Sequence, residues 1–248
     1  MSTDATRTEP TGALSRRDRT RAATVEEIKR TALTLMREAG TSEVRFTEIA
    51  RAMGVTPPAL YRYFADRDEL LTALVADSFD GLAAAFAAAQ SSVPADDLGG
   101  RFLAICSAYR QWANGDPQRF ALIFGAPLPS YQAPVDGPTS EAGHRALDHL
   151  GALVADSRRL GRLGEPLVEL SGAAAAGLLA KHADHAEDDL DPAMYQVLLL
   201  TWSTLHGFVS LEVYGHFCWL EEPARDGLFE AQVQAAALIA GLVPPRRP

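Results

Sequence analysis

Two very short helical segments that meet at a glycine constrain the fold of this chain more than any other feature of its sequence. They lie in residues 46–64, FTEIARAMGVTPPALYRYF. Helices that cross steeply on a tight turn need a small residue at their closest approach and a glycine at the turn. Ala50 and Gly54 supply both, so the stretch predicts a helix–turn–helix with helices near 46–53 and 57–64. The apolar residues expected to face inward are Ile49, Met53, Val55, Leu60 and Phe64.

The second short helix is predicted to expose a face that suits the major groove of DNA. Thr56 stands at its N-cap position, and prolines at its first two positions cost little because those positions lack an intrahelical N–H partner. With Leu60 and Phe64 turned inward, the opposite face is short, rigid and able to form hydrogen bonds. Its members are Pro57, Pro58, Tyr61 and Arg62, with Tyr63 at the edge. The alternative is an ordinary corner whose aromatic residues lie in a bundle core.

The charge distribution favours a nucleic-acid partner, although the chain as a whole is acidic. Its 248 residues include 23 Lys and Arg against 32 Asp and Glu, which gives a formal net charge of −9. Residues 14–65 hold ten of the basic and six of the acidic residues, so this segment carries +4 and the rest of the chain −13. A local basic segment of this kind attracts a phosphate backbone.

The N-terminus is predicted to be a disordered basic arm over residues 1–21, because it is polar and shows no apolar period. The arginines that could reach phosphates or a neighbouring minor groove are Arg16, Arg17, Arg19 and Arg21. A solvated tail is the alternative. The first helix is expected to begin at Thr24, which has capping-box spacing to Glu27, and to end at Gly40.

The remainder of the chain repeats the helical pattern and predicts an all-α protein. Three acidic residues have the spacing of helix N-caps, namely Asp66, Asp116 and Asp191, and the last two directly precede a proline. Alternating strand patterns joined by hairpin turns are absent. Further helices are expected near 67–90, 97–114, 117–124, 140–160, 166–184, 192–217 and 226–241.

Several other classes of protein are disfavoured by the sequence. Cys106 and Cys218 form neither a disulfide framework nor a paired metal-ligand spacing. No uninterrupted apolar run of about 18 residues and no secretory signal pattern is visible, so a soluble cytoplasmic protein without a membrane partner is expected. His182 and His185 precede an acidic run and are interpreted as a solvated stretch rather than a metal site. No phosphate-binding loop indicates a cofactor.

The helix–turn–helix stretch resembles the TetR family of transcriptional regulators. The matching region is residues 22–72, with the signature IARAMGVTPPALYRYFADRDELL. Its turn glycine, N-cap threonine, LYRYF run and acidic–basic start of the next helix occur in the family's order. Residues 201–217, TWSTLHGFVSLEVYGHF, are similar to the Trp-His-Gly motif of one subgroup of TetR-type C-terminal domains.

The resemblance implies an all-helical homodimer that binds a palindromic operator. A three-helix DNA-binding domain over residues 22–67 would precede a C-terminal regulatory and dimerisation domain over residues 68–248. Positions that match phosphate contacts of the family are Thr56, Tyr61, Tyr63 and Arg67, and those that match its base-facing stretch are Pro58, Ala59, Tyr61 and Arg62. The chain departs from the family where Arg45 replaces the usual Ser or Thr, with Thr47 two residues later; either could contact a phosphate. Arg67 replaces the usual lysine and keeps the charge.

The C-terminal region is expected to supply the dimer interface and a ligand pocket. The helix near 192–217 is apolar on nearly all sides, so together with the one near 226–241 it is predicted to form a four-helix interface with a second copy. A deeply buried helix in a monomer is the alternative. Pocket candidates are Phe102, Tyr109, Trp112, Phe120, Phe124, Trp202 and His206, although plain core packing is the favoured interpretation for any one of them.

The predicted function is a dimeric transcription regulator, a repressor released from its operator by a small, largely apolar effector. Effector binding would shift the dimer away from half-sites about 34–36 Å apart, with the helix near 67–90 as the physical link. One alternative is a DNA-binding dimer without a ligand. The other is a helical enzyme or metal-binding protein, which is disfavoured because Ser203 and His206 have no third catalytic partner.

Overall fold

Helices account for the secondary structure of this protein wherever its structure is described. The computed structural model describes residues 15–127, 131–164, 191–239 and 242, with five backbone positions between 172 and 180. The helices in these ranges are α1 (Arg16–Ala39), α2 (Phe46–Ala52), α3 (Pro57–Leu60), α4 (Arg67–Ser91), α5 (Leu98–Gly115), α6 (Pro117–Phe124), α7 (Pro138–Arg159), α8 (Pro192–Val213) and α9 (Glu222–Ile239). Within those ranges no strand forms and one isolated bridge pairs Leu163 with Leu242. The all-α prediction is confirmed.

Three predictions concern residues beyond these ranges. The first is the disordered arm, of which residues 1–14 lie outside the described part of the chain. The helix expected near 166–184 falls mostly outside the described residues, and His182 and His185 lie outside them altogether. The chain divides into two compact units between Leu71 and Thr72, within α4. This point is four residues after the end at Arg67 that the sequence suggested for the DNA-binding domain.

The first helix begins earlier than the sequence indicated. The Ser15 hydroxyl accepts a hydrogen bond from the Asp18 N–H at 3.2 Å, and α1 starts at Arg16. Thr24 lies inside this helix, where its hydroxyl donates to the Thr20 carbonyl at 3.0 Å instead of capping. A disordered arm extending to Arg21 is therefore wrong for its last six residues. Arginine and alanine propagate a helix well, and Ser15 with Asp18 is an earlier capping pair.

The core of the first unit contains three of the five inward residues predicted for the helix–turn–helix, while Met53 is half-buried and Val55 is exposed. Ile49, Ala50 and Leu60 are buried, together with Ile28 and Met36 of α1, Phe46 and Phe64. Val55 was expected among them but is 41% exposed. Its N–H bonds back to the Ala50 carbonyl at 2.9 Å, which closes the turn and turns the side chain away from the core.

The turn between the short helices has the predicted glycine conformation, but α3 is shorter than expected. Gly54 adopts φ +67°, and Gly40 at the end of α1 adopts φ +63°, both in the left-handed region. The helix predicted over 57–64 ends at Leu60. Beyond it, the Tyr63 and Phe64 N–H groups both bond to the Leu60 carbonyl, so residues 61–63 form turns instead of a further helical turn.

The core of the second unit is built from α5 to α9 and the part of α4 after Leu71. The predicted caps form, since Asp116 accepts from the Arg119 N–H at 3.2 Å and Asp191 from the Met194 N–H at 2.9 Å. The largest fully buried side chains of this unit are Tyr109, Phe102, Phe120, Leu74, Leu82 and Leu153. Two helix ends differ from the prediction. The helix expected to reach residue 217 ends at Val213, shortly before Gly215 with φ +77°, and the helix expected to begin near residue 226 begins at Glu222.

A polar cluster joins α5, α8 and α9 at one side of this core. Arg110 donates from Nε to the Glu212 carboxylate at 2.7 Å and from Nη1 to the Asp226 carboxylate at 2.8 Å. Asn114 adds a bond from Nδ2 to Glu212 at 3.0 Å, and the Arg110 guanidinium lies 4.7 Å from the Phe229 ring centre. The Glu212 side chain is only 6% exposed. A two-point contact to a buried carboxylate fixes both partners.

One helix in the described part of the chain has the length and apolar composition of a membrane span. This helix is α4, and its apolar side chains Leu74, Leu82 and Phe86 are buried within the protein. The core helix of a soluble protein passes the same two tests, so this single helix is weak evidence for a membrane span.

Candidate functional site

All of the side chains predicted to contact DNA are accessible to some degree. None of the ten is buried. Those that are exposed are Arg45, Thr47, Thr56, Pro58, Tyr61 and Arg62, and those that are half-buried are Pro57, Ala59, Tyr63 and Arg67. The alternative in which the aromatic residues of α3 form a bundle core is therefore wrong for Tyr61, which is 56% exposed.

The N-terminal end of α3 offers side chains more than backbone N–H groups. Pro57 and Pro58 have no N–H, and the Ala59 N–H bonds to the Thr56 carbonyl at 2.9 Å. Thr56 occupies the N-cap position as predicted, but its hydroxyl makes no capping bond. The hydroxyl thus stays available to an outside donor or acceptor such as a phosphate.

Tyr61 is held in place by a ring of the preceding helix. Its ring centre lies 5.0 Å from that of Phe46, at an interplanar angle of 51°. Phe46 is buried at the first position of α2, so it provides a fixed support. Aromatic pairs at this separation are favourable, and the contact leaves more than half of Tyr61 accessible.

Arg45 and Thr47 lie at the N-terminal end of α2. Arg45 is the N-cap residue, and its N–H donates to the Glu48 carboxylate at 3.3 Å. The arginine side chain forms no cap bond, and the Glu48 N–H, from which a Ser or Thr at this position would accept, bonds to the Arg45 carbonyl at 3.0 Å. Both Arg45 and Thr47 remain exposed and able to contact phosphate.

The start of α4 has the cap predicted from Asp66 and Glu69. The Glu69 N–H donates to the Asp66 carboxylate at 2.8 Å, and the Glu69 carboxylate accepts from the Ala65 N–H. This reciprocal arrangement fixes the beginning of the helix that carries Arg67. Arg67 is half-buried at its first position.

One contact of this unit was missed by the sequence analysis. Arg21 of α1 donates from Nη1 to the Arg62 carbonyl oxygen at 2.9 Å, and its guanidinium lies 5.2 Å from the Tyr63 ring centre. The sequence assigned Arg21 to a disordered arm, and no local pattern connects positions 41 residues apart. Only the helical register of α1 back to Arg16 could have suggested that Arg21 is fixed.

Five of the seven pocket candidates come together in the second unit as an aromatic cluster. Its members are Tyr109, Phe120, Phe124, Trp202 and His206, whose neighbouring ring centres lie 4.8–6.4 Å apart. Trp202 and His206 stack at 5.3 Å, as their spacing predicted. Phe102 is a core residue without a ring contact to the cluster, and the Trp112 indole nitrogen lies beside Gly81 of α4.

His206 is the centre of a chain of uncharged hydrogen-bonding groups. Its Nδ1 lies 2.6 Å from the Tyr109 hydroxyl, and its Nε2 lies 3.2 Å from the Ser210 hydroxyl. Burial lowers the pKa of His206 and raises the pKa of the Tyr109 phenol, so both are neutral near pH 7. The hydrogen-bond partners of the His206 ring nitrogens are thus Tyr109 and Ser210.

A small apolar cavity adjoins this cluster. Its volume is about 10 Å³, roughly the space of one water molecule. The lining residues are Phe86, Ile105, Cys106, Tyr109, Ala146, Leu147, Leu150, Trp202 and Leu205. Burial raises the pKa of the Cys106 thiol, which therefore behaves as a small apolar group. Among the described residues no cluster of His, Cys, Asp and Glu could hold a metal ion.

Acidification is expected to destabilise the second unit through His206. Because burial lowers its pKa, the folded state binds a proton less readily than the unfolded state, whose pKa is about 6.5. The full stability is therefore present above about pH 6.5 and is lost as the pH falls below it. Urea unfolding at several pH values should show this loss, and His206→Gln should reduce it.

His149→Gln is the comparison variant for that measurement. Burial also lowers the pKa of His149, but this side chain contacts Gln90 at 2.9 Å and takes no part in the Tyr109–His206–Ser210 hydrogen bonds. An unchanged pH slope in the His206 variant would contradict the assignment.

The first unit has a glycine turn, a short second helix and two exposed residues, Tyr61 and Arg62, directly after that helix. This is the arrangement of a helix–turn–helix DNA-binding protein. Two family profiles match the chain. The profile described as bacterial regulatory proteins, tetR family, matches residues 21–74, and the one described as Tetracyclin repressor-like, C-terminal domain, matches residues 102–236. The chain belongs to the TetR family and is a DNA-binding transcriptional regulator. Its placement in the Trp-His-Gly subgroup stays a prediction.

Relatives and solved structures agree with this assignment. The HTH-type transcriptional regulator Rv1816 of Mycobacterium tuberculosis H37Rv is 29% identical over 185 residues, which are 72% of this chain and 75% of the relative. The crystal structure of SCO4313 is 35% identical, with a TM-score of 0.70, and the match covers 90% of this chain and 98% of that one. RolR in complex with resorcinol shares the fold, with 17% identity, a TM-score of 0.51 and coverage of 93% and 98%.

Proposed function

We propose that this chain acts as a homodimeric repressor that leaves a palindromic operator when a small molecule binds its second unit. The observation that carries the DNA-binding part is the exposed Tyr61–Arg62 pair directly after α3, where Phe46 contacts the Tyr61 ring and Arg21 contacts the Arg62 carbonyl. Pro58 and Ala59 would join this pair at base edges, while Thr56, Tyr63 and Arg67, with Arg45 or Thr47, would contact phosphates. We expect the protein to act in the cytoplasm, where the chromosome lies.

The proposed dimer interface is formed by α8 and α9. Exposed leucines lie on both helices, Leu199 and Leu211 on α8 and Leu228 and Leu238 on α9. Exposed apolar side chains on two adjacent helices favour burial against a second copy. A two-fold dimer presents two recognition helices to a two-fold operator, as regulators of this family do.

The proposed effector is a small uncharged molecule with a flat apolar body. The support is the cavity beside Trp202, whose lining is apolar, and the neutral Tyr109–His206 pair as its nearest polar group. RolR, which shares this fold, is seen with the uncharged aromatic ligand resorcinol. Since the cavity holds about one water, the effector would have to displace side chains such as Leu147 on α7, which is partly exposed.

A thermal-shift screen tests the effector. An uncharged aromatic compound that binds the folded chain at 100 times its Kd should add about 2.7 kcal/mol of stability and raise the melting temperature by several degrees. Leu150→Phe, which adds about the volume of one water at the cavity, should remove this shift while changing the melting temperature of the free protein by less than the shift itself. A shift that persists in this variant would place the ligand elsewhere.

One observation favours the second candidate function, a DNA-binding dimer without a ligand. The volume of the cavity, about 10 Å³, is more than tenfold below the roughly 300–1,000 Å³ of pockets that bind drug-sized ligands. If no compound among a chemically broad set raises the melting temperature while operator binding is intact, the regulator without an effector is the better account.

Binding to DNA upstream of its own coding sequence tests the regulator itself. We expect specific binding whose affinity falls by about 10³-fold or more between 50 and 200 mM salt, because each phosphate contact releases counterions. Affinity that does not depend on salt would contradict a phosphate-contacting face.

A further inference from the structure

Arg21 contacts the turn that follows the recognition helix α3. Its Nη1 donates to the Arg62 carbonyl oxygen at 2.9 Å, and its guanidinium lies over the Tyr63 ring at 5.2 Å from the centre. Both contacts are made to the residues that directly follow α3. One side chain of α1 thus holds the chain at the point where the reading face ends.

The recognition helix needs such outside support. It has four residues, far fewer than the roughly 12–15 at which an isolated helix becomes stable in water. The Arg62 carbonyl lies in the turn after α3, two residues beyond the end of the helix at Leu60. Arg21 supplies both a donor and a positive charge to the Arg62 carbonyl, and it gains a cation–π contact with Tyr63.

Two supports therefore act on either side of the exposed pair. Phe46 holds the ring of Tyr61, and Arg21 holds the backbone of Arg62. A binding face that is fixed before association loses less conformational entropy when it binds. A loose Arg62 backbone would still carry its charge to DNA but would not keep its side chain in register with a base.

We infer that Arg21 is a positioning residue for operator recognition, which fixes Arg62 and Tyr63 in the free protein and thereby raises specific over non-specific DNA affinity. The inference rests on the proposed reading face. The competing role is a direct phosphate contact by Arg21, which would add affinity for every duplex equally and would steepen the salt dependence by about one unit.

Arg17 provides a matched control for the loss of charge. It is an exposed arginine on α1, one helical turn before Arg21. Affinity of full-length Arg21→Ala, Arg17→Ala and wild type is measured by fluorescence anisotropy on a duplex selected from random sequence by the wild type, and on a scrambled duplex. We expect Arg21→Ala to bind the selected duplex at least roughly tenfold more weakly than Arg17→Ala does. Their affinities for the scrambled duplex and their salt slopes should be equal.

Hydrogen exchange in the free protein separates positioning from direct contact. The Tyr63 and Phe64 amides, which bond to the Leu60 carbonyl, should exchange on the order of tenfold faster in Arg21→Ala and unchanged in Arg17→Ala. Arg21→Lys, which keeps the charge and the stack on Tyr63, should restore protection in part. This variant also keeps the test valid if the alanine variant unfolds.

Three results decide the inference. Faster exchange together with a selective loss of specific affinity supports it. Equal behaviour of the two alanine variants, or a shallower salt slope with unchanged exchange in Arg21→Ala, overturns it and leaves the proposed function standing. If the wild type selects no duplex, the proposed function is wrong and the inference, which rests on it, is overturned with it.

Discussion

Tyr61→Ala should abolish specific operator binding and leave the protein folded. A side chain that contacts a base edge is worth about 1–3 kcal/mol, and a two-fold dimer makes the contact twice. The expected loss of affinity is therefore roughly 30-fold to 10⁴-fold. Stability should change little, because Tyr61 is 56% exposed and its main contact is the Phe46 ring. Anisotropy titration on the operator and thermal unfolding of the same sample measure the two effects.

Tyr61→Phe is the matched control for this substitution. It keeps the stacking on Phe46 and removes only the hydroxyl, so it separates a hydrogen-bonding role from a packing role. Wild-type affinity in a folded Tyr61→Ala protein would show that the reading face lies elsewhere.

Arg110→Ala should destabilise the second unit by about 3 kcal/mol, because it leaves the Glu212 carboxylate buried without its cation. The Glu212 side chain is 6% and Arg110 18% exposed, so the loss should lie near the lower end of the range for buried pairs. Urea unfolding followed by circular dichroism measures it. The double substitution Arg110→Met with Glu212→Leu should cost less than Arg110→Ala, since the remaining partner, Asp226, is 55% exposed and no buried charge is left unpaired.

The same pair predicts a dependence on acid. Burial alone would raise the pKa of Glu212, but the hydrogen bonds from Arg110 and Asn114 outweigh it and hold the pKa below its usual value. The contribution of Glu212 is therefore present above the unfolded-state pKa of about 4.3 and is lost as the pH falls through the folded-state value. If Arg110→Ala and the double substitution of Arg110 and Glu212 lower the free energy of unfolding by the same amount, an electrostatic role for this pair is contradicted.

The parts of the fold that depend on local chemistry could be predicted from the sequence. A capping acid before Pro117 and another before Pro192 require only neighbouring residues, and both form. Gly54 and Gly40 take the left-handed conformation that their position after a helix demands. The exposure of Tyr61 followed from the burial of its neighbours Leu60 and Phe64.

The parts that depend on distant residues could not be predicted in this way. The contact of Arg21 with Arg62 depends on α1 beginning at Arg16, which includes Arg21 in the helix, and on the packing that brings two positions 41 residues apart together. Tyr109 and His206 are 97 positions apart, and only packing of α5 against α8 reveals their hydrogen bond. Local apolar patterning also placed Val55 inside, although the turn's backbone bond directs it outward.

A footprint of the purified chain on its own upstream DNA shows directly whether a dimer presents two Tyr61-containing faces to a two-fold operator. We expect two protected half-sites related by a two-fold axis, with centres separated by one helical turn, about 34–36 Å, or a multiple of it. Protection should disappear with Tyr61→Ala. A single asymmetric protected site, or protection that survives this substitution in a folded protein, would contradict this expectation.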